Sequence, residues 1–196
     1  KELSYKVYTI SNGRLYTDRI QDTAVILDNK IIEGPSFQLR QGAEFNIFNS
    51  EIRNNVVFSK GTPRRLRNLN GSVLSLLTGG GGNNNYWHWL YDVLPRFGLC
   101  GKSVNLSEID YFLLPSLLKR FQKETLDCLK IPKNKRISSE KFRHIKAKEL
   151  IVADHPVVIS ENPTKDIMNM PIWISKWLKV MFLNQIVKND EKKIKK

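Results

Sequence analysis

The residues of this chain best suited to chemistry are His88 and Asp92, within the segment NYWHWLYDVLPR at residues 85–96. Side chains four residues apart lie on the same face of a helix and can hydrogen-bond. A carboxylate beside an imidazole fixes the tautomer of the ring and makes it more basic, which suits a general base. A structural hydrogen bond between the two residues is the alternative interpretation.

The run GGGGNNN at residues 79–85 precedes this pair, and residues 74–77 before it have the pattern of a buried strand. Asn84 and Asn85 are both good N-cap residues, so we expect a helix to begin there. A strand, a glycine turn and a helix together present backbone amides that can receive a phosphate. Arg96, one turn beyond Asp92, can contact an anion or pair with Asp92. The glycine spacing matches neither the dinucleotide fingerprint nor the Walker motif.

Strand and helix patterns alternate after residue 72, which predicts an α/β fold with a parallel, Rossmann-like sheet. Residues 1–68 read as a β-rich lead-in packed on the main domain, residues 69–187 as the Rossmann-like domain, and residues 188–196 as a basic linker. The expected strands are 7–10, 14–17, 24–27, 55–59, 74–77, 111–114, 135–137 and 148–153. The expected helices are 85–99, 117–129 and 172–187. Asn12–Gly13 and Asp28–Asn29 are turn signals within a β-meander.

The net charge of +13, with a pI near 9.8, favours an anionic partner such as a phosphate group, a nucleic acid or an acidic membrane. A solvated, lysine-rich surface is the alternative. One basic cluster lies at residues 64–67 and another in the tail at 188–196. No apolar run approaches the roughly 20 residues of a transmembrane helix. Two cysteines and three scattered histidines make a poor zinc site, and we expect no bound metal.

The segment Asn85–Arg96 resembles the signature N-Y-x-H-W-L-x-D-x-L-P-R of family 61 glycosyltransferases, which include bacterial capsular-polysaccharide members. Residues 110–115, 121–129 and 170–178 support the resemblance, which covers about residues 50–187. It implies the Rossmann-like N-terminal half of a GT-B fold. It also implies an inverting transfer of a sugar from a nucleotide-sugar donor to a glycan, polysaccharide or lipid-linked saccharide acceptor.

The resemblance further implies roles for individual residues. His88 is the expected catalytic base, oriented by Asp92, and Asp92 acting directly is the alternative. The residues expected to line the cleft and contact substrate are Gly80, Gly81, Gly82, Asn83, Asn84, Asn85, Tyr86 and Arg96. The nucleotide sugar is a co-substrate, and no separate cofactor is expected.

Members of this family continue into a second domain that supplies most donor contacts, and that half is not in this sequence. We therefore expect a C-terminal donor-binding domain as a partner, and little turnover by residues 1–196 alone. The expected location is cytoplasmic, at most peripheral to the inner face of the membrane. A non-catalytic basic module that binds nucleic acid or phosphorylated ligands is the alternative function, although no nucleic-acid-binding motif is present. A remnant interaction protein is a third possibility.

Overall fold

The computed structural model describes residues 3–19, 22–36, 40–41, 48–49, 52–77, 84–158 and 162–183. Within these ranges the fold is mixed α/β, with one eight-stranded sheet and a separate two-stranded ribbon. The strands are β1 (Val7–Ser11), β2 (Arg14–Thr17), β3 (Thr23–Leu27), β4 (Lys30–Ile31), β5 (Arg40–Gln41), β6 (Phe48–Asn49), β7 (Arg67–Ser75), β8 (Tyr111–Leu114), β9 (Arg136–Ser138) and β10 (His144–Ala153). The helices are α1 (Val56–Lys60), α2 (Tyr86–His88), α3 (Leu94–Cys100), α4 (Arg120–Cys128), α5 (Pro163–Met168) and α6 (Ile172–Leu178), with π-helical turns at Trp89–Val93 and Lys179–Leu183.

Four neighbouring strands of the large sheet run parallel, in the spatial order β9, β8, β7, β10. Numbered by their appearance in the chain, they stand in the order 3-2-1-4, so the direction of winding reverses between β7 and β10. The carboxyl ends of β7 and β10 therefore lie side by side at one edge. In open α/β sheets, ligands bind at the edge where the strand order reverses.

The lead-in strands join the same sheet instead of forming one of their own. β1 and β2 follow one another along the same side of β10, and both pair antiparallel with it. The turn predicted at Asn12–Gly13 is present, but it does not form a hairpin of a β-meander. Asn12 has a φ of 54° and its N–H donates to the carbonyl of Lys148, so β1 and β2 both follow β10. The turn at Asp28–Asn29 is confirmed, because both residues have positive φ and β3 pairs antiparallel with β4.

The strand expected at residues 55–59 is also wrong, because residues 56–60 form the short helix α1. The side-chain oxygen of Asn55 accepts from the N–H of Val57, and Asp22 accepts from the N–H of Val56. These bonds satisfy donors that a helix start leaves open. The β-branched residues that suggested a strand pack with Tyr16 instead.

Both faces of the central strands are buried, as expected where parallel strands are covered on each side. Leu74 and Ile151 contribute to the core under the helices, whereas Val73 and Leu150 contribute to the core on the opposite face. Gly98 of α3 contacts Trp177 of α6 so closely that a Cβ there would lie 2.7 Å from the indole ring. This contact seats α6 against α3.

The predicted helices at 85–99 and 117–129 and the predicted strands at 111–114 and 148–153 are confirmed, with α4 shorter and β10 longer than expected. Residues 172–183 are helical, and the rest of the expected helix to residue 187 lies outside the described ranges, as does the basic segment 188–196. No described helix is both long and apolar enough to cross a membrane.

Candidate functional site

The helix that carries His88 begins at Asn85, and Arg96 later in this segment contacts the end of β10 at Ala153. The side-chain oxygen of Asn85 accepts hydrogen bonds from the N–H groups of Trp87 and His88, at 2.9 and 3.2 Å. Asn85 is therefore the N-cap, as the sequence indicated. Because one of these bonds goes to His88 itself, the cap also fixes the backbone of the candidate base.

The helix widens into a π-helical turn over Trp89–Val93, where the N–H of Leu94 donates to the carbonyl of Trp89 five residues earlier. Pro95 follows this turn. A proline has no N–H to donate and its ring crowds the carbonyl four residues before it, which an added residue per turn relieves. The π turn contains Asp92, so the proline contributes to where that carboxylate lies.

His88 and Asp92 form the predicted pair. The Nδ1 atom of His88 lies 2.6 Å from Oδ2 of Asp92, and the two side chains are 27% and 1% exposed. In a neutral imidazole, Nδ1 donates to the carboxylate, so Nε2 carries no proton and can accept one. The buried carboxylate holds the ring, while the partly exposed ring is the member of the pair that a ligand can reach.

Arg96 lies in the protein interior behind this pair, at 1% exposure. Its Nε donates to the carbonyl oxygen of Asp92 at 3.2 Å, and its Nη1 donates to the carbonyl oxygen of Ala153 at 2.9 Å. Burial lowers the pKa of Arg96 to about 10, and the negative charge of Asp92 opposes that shift. Arg96 thus joins the site helix to the end of β10, and its contact with a substrate stays a prediction.

His155 belongs to the same cluster, although the sequence analysis did not identify it. Its Nδ1 accepts from the N–H groups of Val157 and Val158, so a neutral ring carries its proton on Nε2. Burial lowers the pKa of His155 to about 4, with smaller effects from the charges of Asp92, Arg96 and His88. Its position two residues after the predicted strand 148–153 was the available signal, because polar residues there fall at the carboxyl edge.

The aromatic residues of the segment divide between core and rim. Trp89 is fully buried and donates from Nε1 to the hydroxyl of Thr125 at 2.9 Å, which ties the site helix to α4. Trp87 packs edge-on against the ring of His88, with 5.0 Å between ring centroids. Tyr86 is 56% exposed. Trp87 and Tyr86 are placed where they can border a ligand, whereas Trp89 serves packing.

The remaining predicted contacts lie on the approach to the helix. Asn84 is exposed in the turn before Asn85. Gly80, Gly81, Gly82 and Asn83 lie outside the described residues, so their roles stay predictions. Among the residues that the structure describes, no group of three or more His, Cys, Asp or Glu side chains is arranged to hold a metal ion.

Comparison of the chain with protein-family models, with curated proteins and with solved structures finds no match. At neutral pH Arg96 carries a buried positive charge and the imidazole of His155 is uncharged. A proton arriving at Nε2 of His88 would create an imidazolium beside Asp92, which that carboxylate stabilises. The arrangement suits proton abstraction from a hydroxyl group.

Proposed function

We propose that this chain is the acceptor-side portion of an inverting glycosyltransferase, which moves a sugar from a nucleotide-sugar donor to a hydroxyl of a glycan or polysaccharide acceptor. The observation that carries the proposal is the His88–Asp92 pair, with its buried carboxylate and partly exposed imidazole, at the edge where the strand order reverses. An inverting transfer is a single in-line displacement and needs one base to take the proton of the attacking hydroxyl.

The proposed reaction gives each atom of the pair a task. Nε2 of His88 takes the proton of the acceptor hydroxyl while the oxygen forms a bond to the anomeric carbon of the donor. The bond from that carbon to the phosphate oxygen breaks, and its electron pair leaves with the nucleoside diphosphate. Asp92 keeps Nδ1–H in place and stabilises the imidazolium.

The geometry favours His88 over Asp92 as the base. The side chain of Asp92 is 1% exposed, and one of its oxygens already interacts with His88. An acceptor hydroxyl would have to enter the core to reach that carboxylate directly, whereas the imidazole is partly open to solvent. Asp92 is accordingly the positioning residue in this proposal.

The order 3-2-1-4 of the parallel strands is the order of the first four strands of a dinucleotide-binding Rossmann sheet. It supports the proposal of a Rossmann-like half of a GT-B enzyme. In such an enzyme the active site lies between two domains, so the donor is expected to be bound mainly by a C-terminal domain. Little turnover by residues 1–196 alone, and a cytoplasmic location, are parts of the same proposal.

A donor panel tests this function. The protein assayed contains residues 1–196 together with the proposed C-terminal domain, and we call it the full-length protein. It is incubated with UDP-, GDP- and CDP-sugars and with oligosaccharide acceptors, and free nucleoside diphosphate is measured. We expect release that requires both donor and acceptor, and an anomeric configuration in the product, read by NMR, opposite to that in the donor. Retention of configuration, or an absence of transfer from every donor, would overturn the proposal.

A further inference from the structure

Arginines are concentrated at the end of the molecule where β10 begins, away from the candidate site. The chain has 11 arginines among its 32 basic residues, and more than half of them lie in three short segments that meet at this end. These residues, which we name the arginine edge, are Arg14, Arg19, Arg64, Arg65, Arg67 and Arg143. The lysines do not share this grouping: apart from those in the tail at residues 188–196, they are spread along the chain.

His144 joins the segments of the arginine edge. Its Nδ1 donates to the backbone carbonyl of Arg64 at 2.9 Å, and its Nε2 accepts from Nη2 of Arg14 at 3.0 Å. One residue before His144, the carbonyl of Arg143 accepts from the N–H of Thr17 at 2.9 Å. The arginines are thus brought together by β2, β10 and the chain entering β7.

Positive charge is in excess at the arginine edge. Glu140 forms a 2.9 Å ion pair with Arg19, and Asp18 is close enough to Arg143 to influence it. Burial, followed by the like charges of Arg64 and Arg19, lowers the pKa of Arg143. Among the described residues, Glu140 pairs with Arg19, and Arg67 lies over the ring of Phe142 at 5.2 Å from its centroid. The excess of positive charge among these residues can be balanced by an external anion. Guanidinium groups bind phosphate oxygens with paired hydrogen bonds.

Apolar side chains are exposed beside these charges. Phe58 of α1 is 62% exposed, and Leu66, between two of the arginines, is 38% exposed. Helix α1 packs through Val56 and Val57 on Tyr16, whose ring lies 5.6 Å from that of His144. The exposed phenyl ring therefore belongs to the same corner of the molecule as the arginines.

We propose that the arginine edge, together with Phe58, binds the surface of an anionic membrane, with guanidinium groups on lipid phosphates and the phenyl ring in the headgroup region. Exposed apolar side chains among basic ones are typical of surfaces that lie on a bilayer. A single-stranded nucleic acid is a poorer fit, because its bases require a series of stacking aromatics and the corner exposes one phenyl ring among the residues described there.

The arginine edge is distant from the candidate site. The arginine edge is at His144, where β10 begins, and the site is at Ala153, where β10 ends. Ten residues of strand span about 30 Å. Substitutions at one end therefore leave the other end intact, and the two proposals can fail separately.

Vesicle sedimentation tests the proposal. The full chain is mixed with phosphatidylcholine vesicles or with vesicles in which about one third of the lipid is phosphatidylglycerol. We expect binding to the anionic vesicles only. The double variant Arg64→Gln/Arg65→Gln should bind about 25-fold more weakly, at about fivefold per basic side chain near the surface. Phe58→Ser, which leaves the charge unchanged, should weaken binding about tenfold.

The matched control is Lys176→Gln/Lys179→Gln, which removes the same charge from exposed positions on α6 and the π turn after it. We expect its binding to stay within about twofold of the wild type. Equal losses in both double variants would overturn the proposal, since net charge alone would then explain binding. Absence of binding to anionic vesicles would also overturn it. So would equally strong binding to a random RNA that depends on Arg64 and Arg65 but not on Phe58.

Discussion

Nδ1 of His88 lies 2.6 Å from Oδ2 of Asp92, and the carboxylate of that pair is buried while the imidazole is partly exposed. Because of this difference in exposure, His88 can contact a ligand, whereas Asp92 holds the imidazole in place. The backbone of Asp92 is held by Arg96, which donates to the carbonyl of Asp92 and to that of Ala153. His88 is fixed from its own backbone through the Asn85 cap. The ring thus offers one nitrogen to a ligand and has the other engaged.

The first prediction concerns the tautomers of the two site histidines. At pH 8, long-range ¹H–¹⁵N spectra should show His88 protonated on Nδ1 and His155 protonated on Nε2, because their hydrogen-bond partners differ. The chain has three histidines, so His→Gln variants assign the signals. Asp92→Asn should shift His88 toward the Nε2–H form and leave His155 unchanged. The same tautomer in both residues would contradict the geometry of the site.

Arg96 is predicted to be structurally costly to replace. Arg96→Met removes the buried cation near Asp92 and leaves two backbone carbonyls without their donor, so we expect the free energy of unfolding to fall by about 3–5 kcal/mol. Urea denaturation measures the change. Arg120→Met is the matched control, since Arg120 is exposed and pairs with Glu124 on the surface, and the denaturation midpoint of this variant should not move measurably. A similar midpoint for the two variants would show that Arg96 does not support the site.

His155 should make the protein less stable on mild acidification. Its pKa is about 4 in the fold and 6.5 in the unfolded chain, so between these values the unfolded state binds a proton that the folded state does not. The free energy of unfolding therefore falls as pH falls from 6.5 to 4, by about 3 kcal/mol from this residue. His155→Asn retains an acceptor for the two backbone N–H groups and should show a flatter profile over that window. Parallel profiles for variant and wild type would contradict the assignment.

Asn85 was predicted to contact substrate, and the structure gives it a capping bond to His88. Asn85→Ala should lower the free energy of unfolding by about 1 kcal/mol, and Asn85→Asp should retain the cap. Thermal unfolding of both variants measures this. If the alanine variant is as stable as the wild type, the cap contributes nothing. A separate outcome concerns substrate binding: if Asn85→Asp is as stable as the wild type but transfers sugar more slowly, Asn85 contacts the substrate directly.

Much of the site follows from local sequence patterns. The spacing of Asn85, His88 and Asp92 predicted a cap and a hydrogen-bonded pair, and both are present. Burial of Arg96 could not be predicted in the same way, because its second partner, Ala153, comes from a strand 57 residues away in sequence. His155 follows the predicted strand 148–153 by two residues, but its proximity to His88 and Asp92 depends on the pairing of β10 with β7.

Two errors in the predicted fold arise where tertiary contacts override a local sequence pattern. The run at Val56–Phe58 has strand propensity, yet the cap at Asn55 and the bond from Val56 to Asp22 make it helical. Asn12–Gly13 has the sequence of a hairpin turn, but hydrogen bonds to Lys148 and Ala147 keep the chain in line with β10. In both places a partner distant in sequence contributes to the outcome, Asp22 in the first and Lys148 in the second.

The transfer rate of a His88→Gln variant tests the central claim most directly. The full-length protein and the variant are compared in acceptor-dependent release of nucleoside diphosphate, with Lys133→Gln, at an exposed position before β9, as the control. We predict a decrease of about 10²–10⁴-fold for His88→Gln with an unchanged melting temperature, and little change in rate for Lys133→Gln. Wild-type rates in His88→Gln, or a loss explained entirely by a lower melting temperature, would contradict the assignment of His88 as the base.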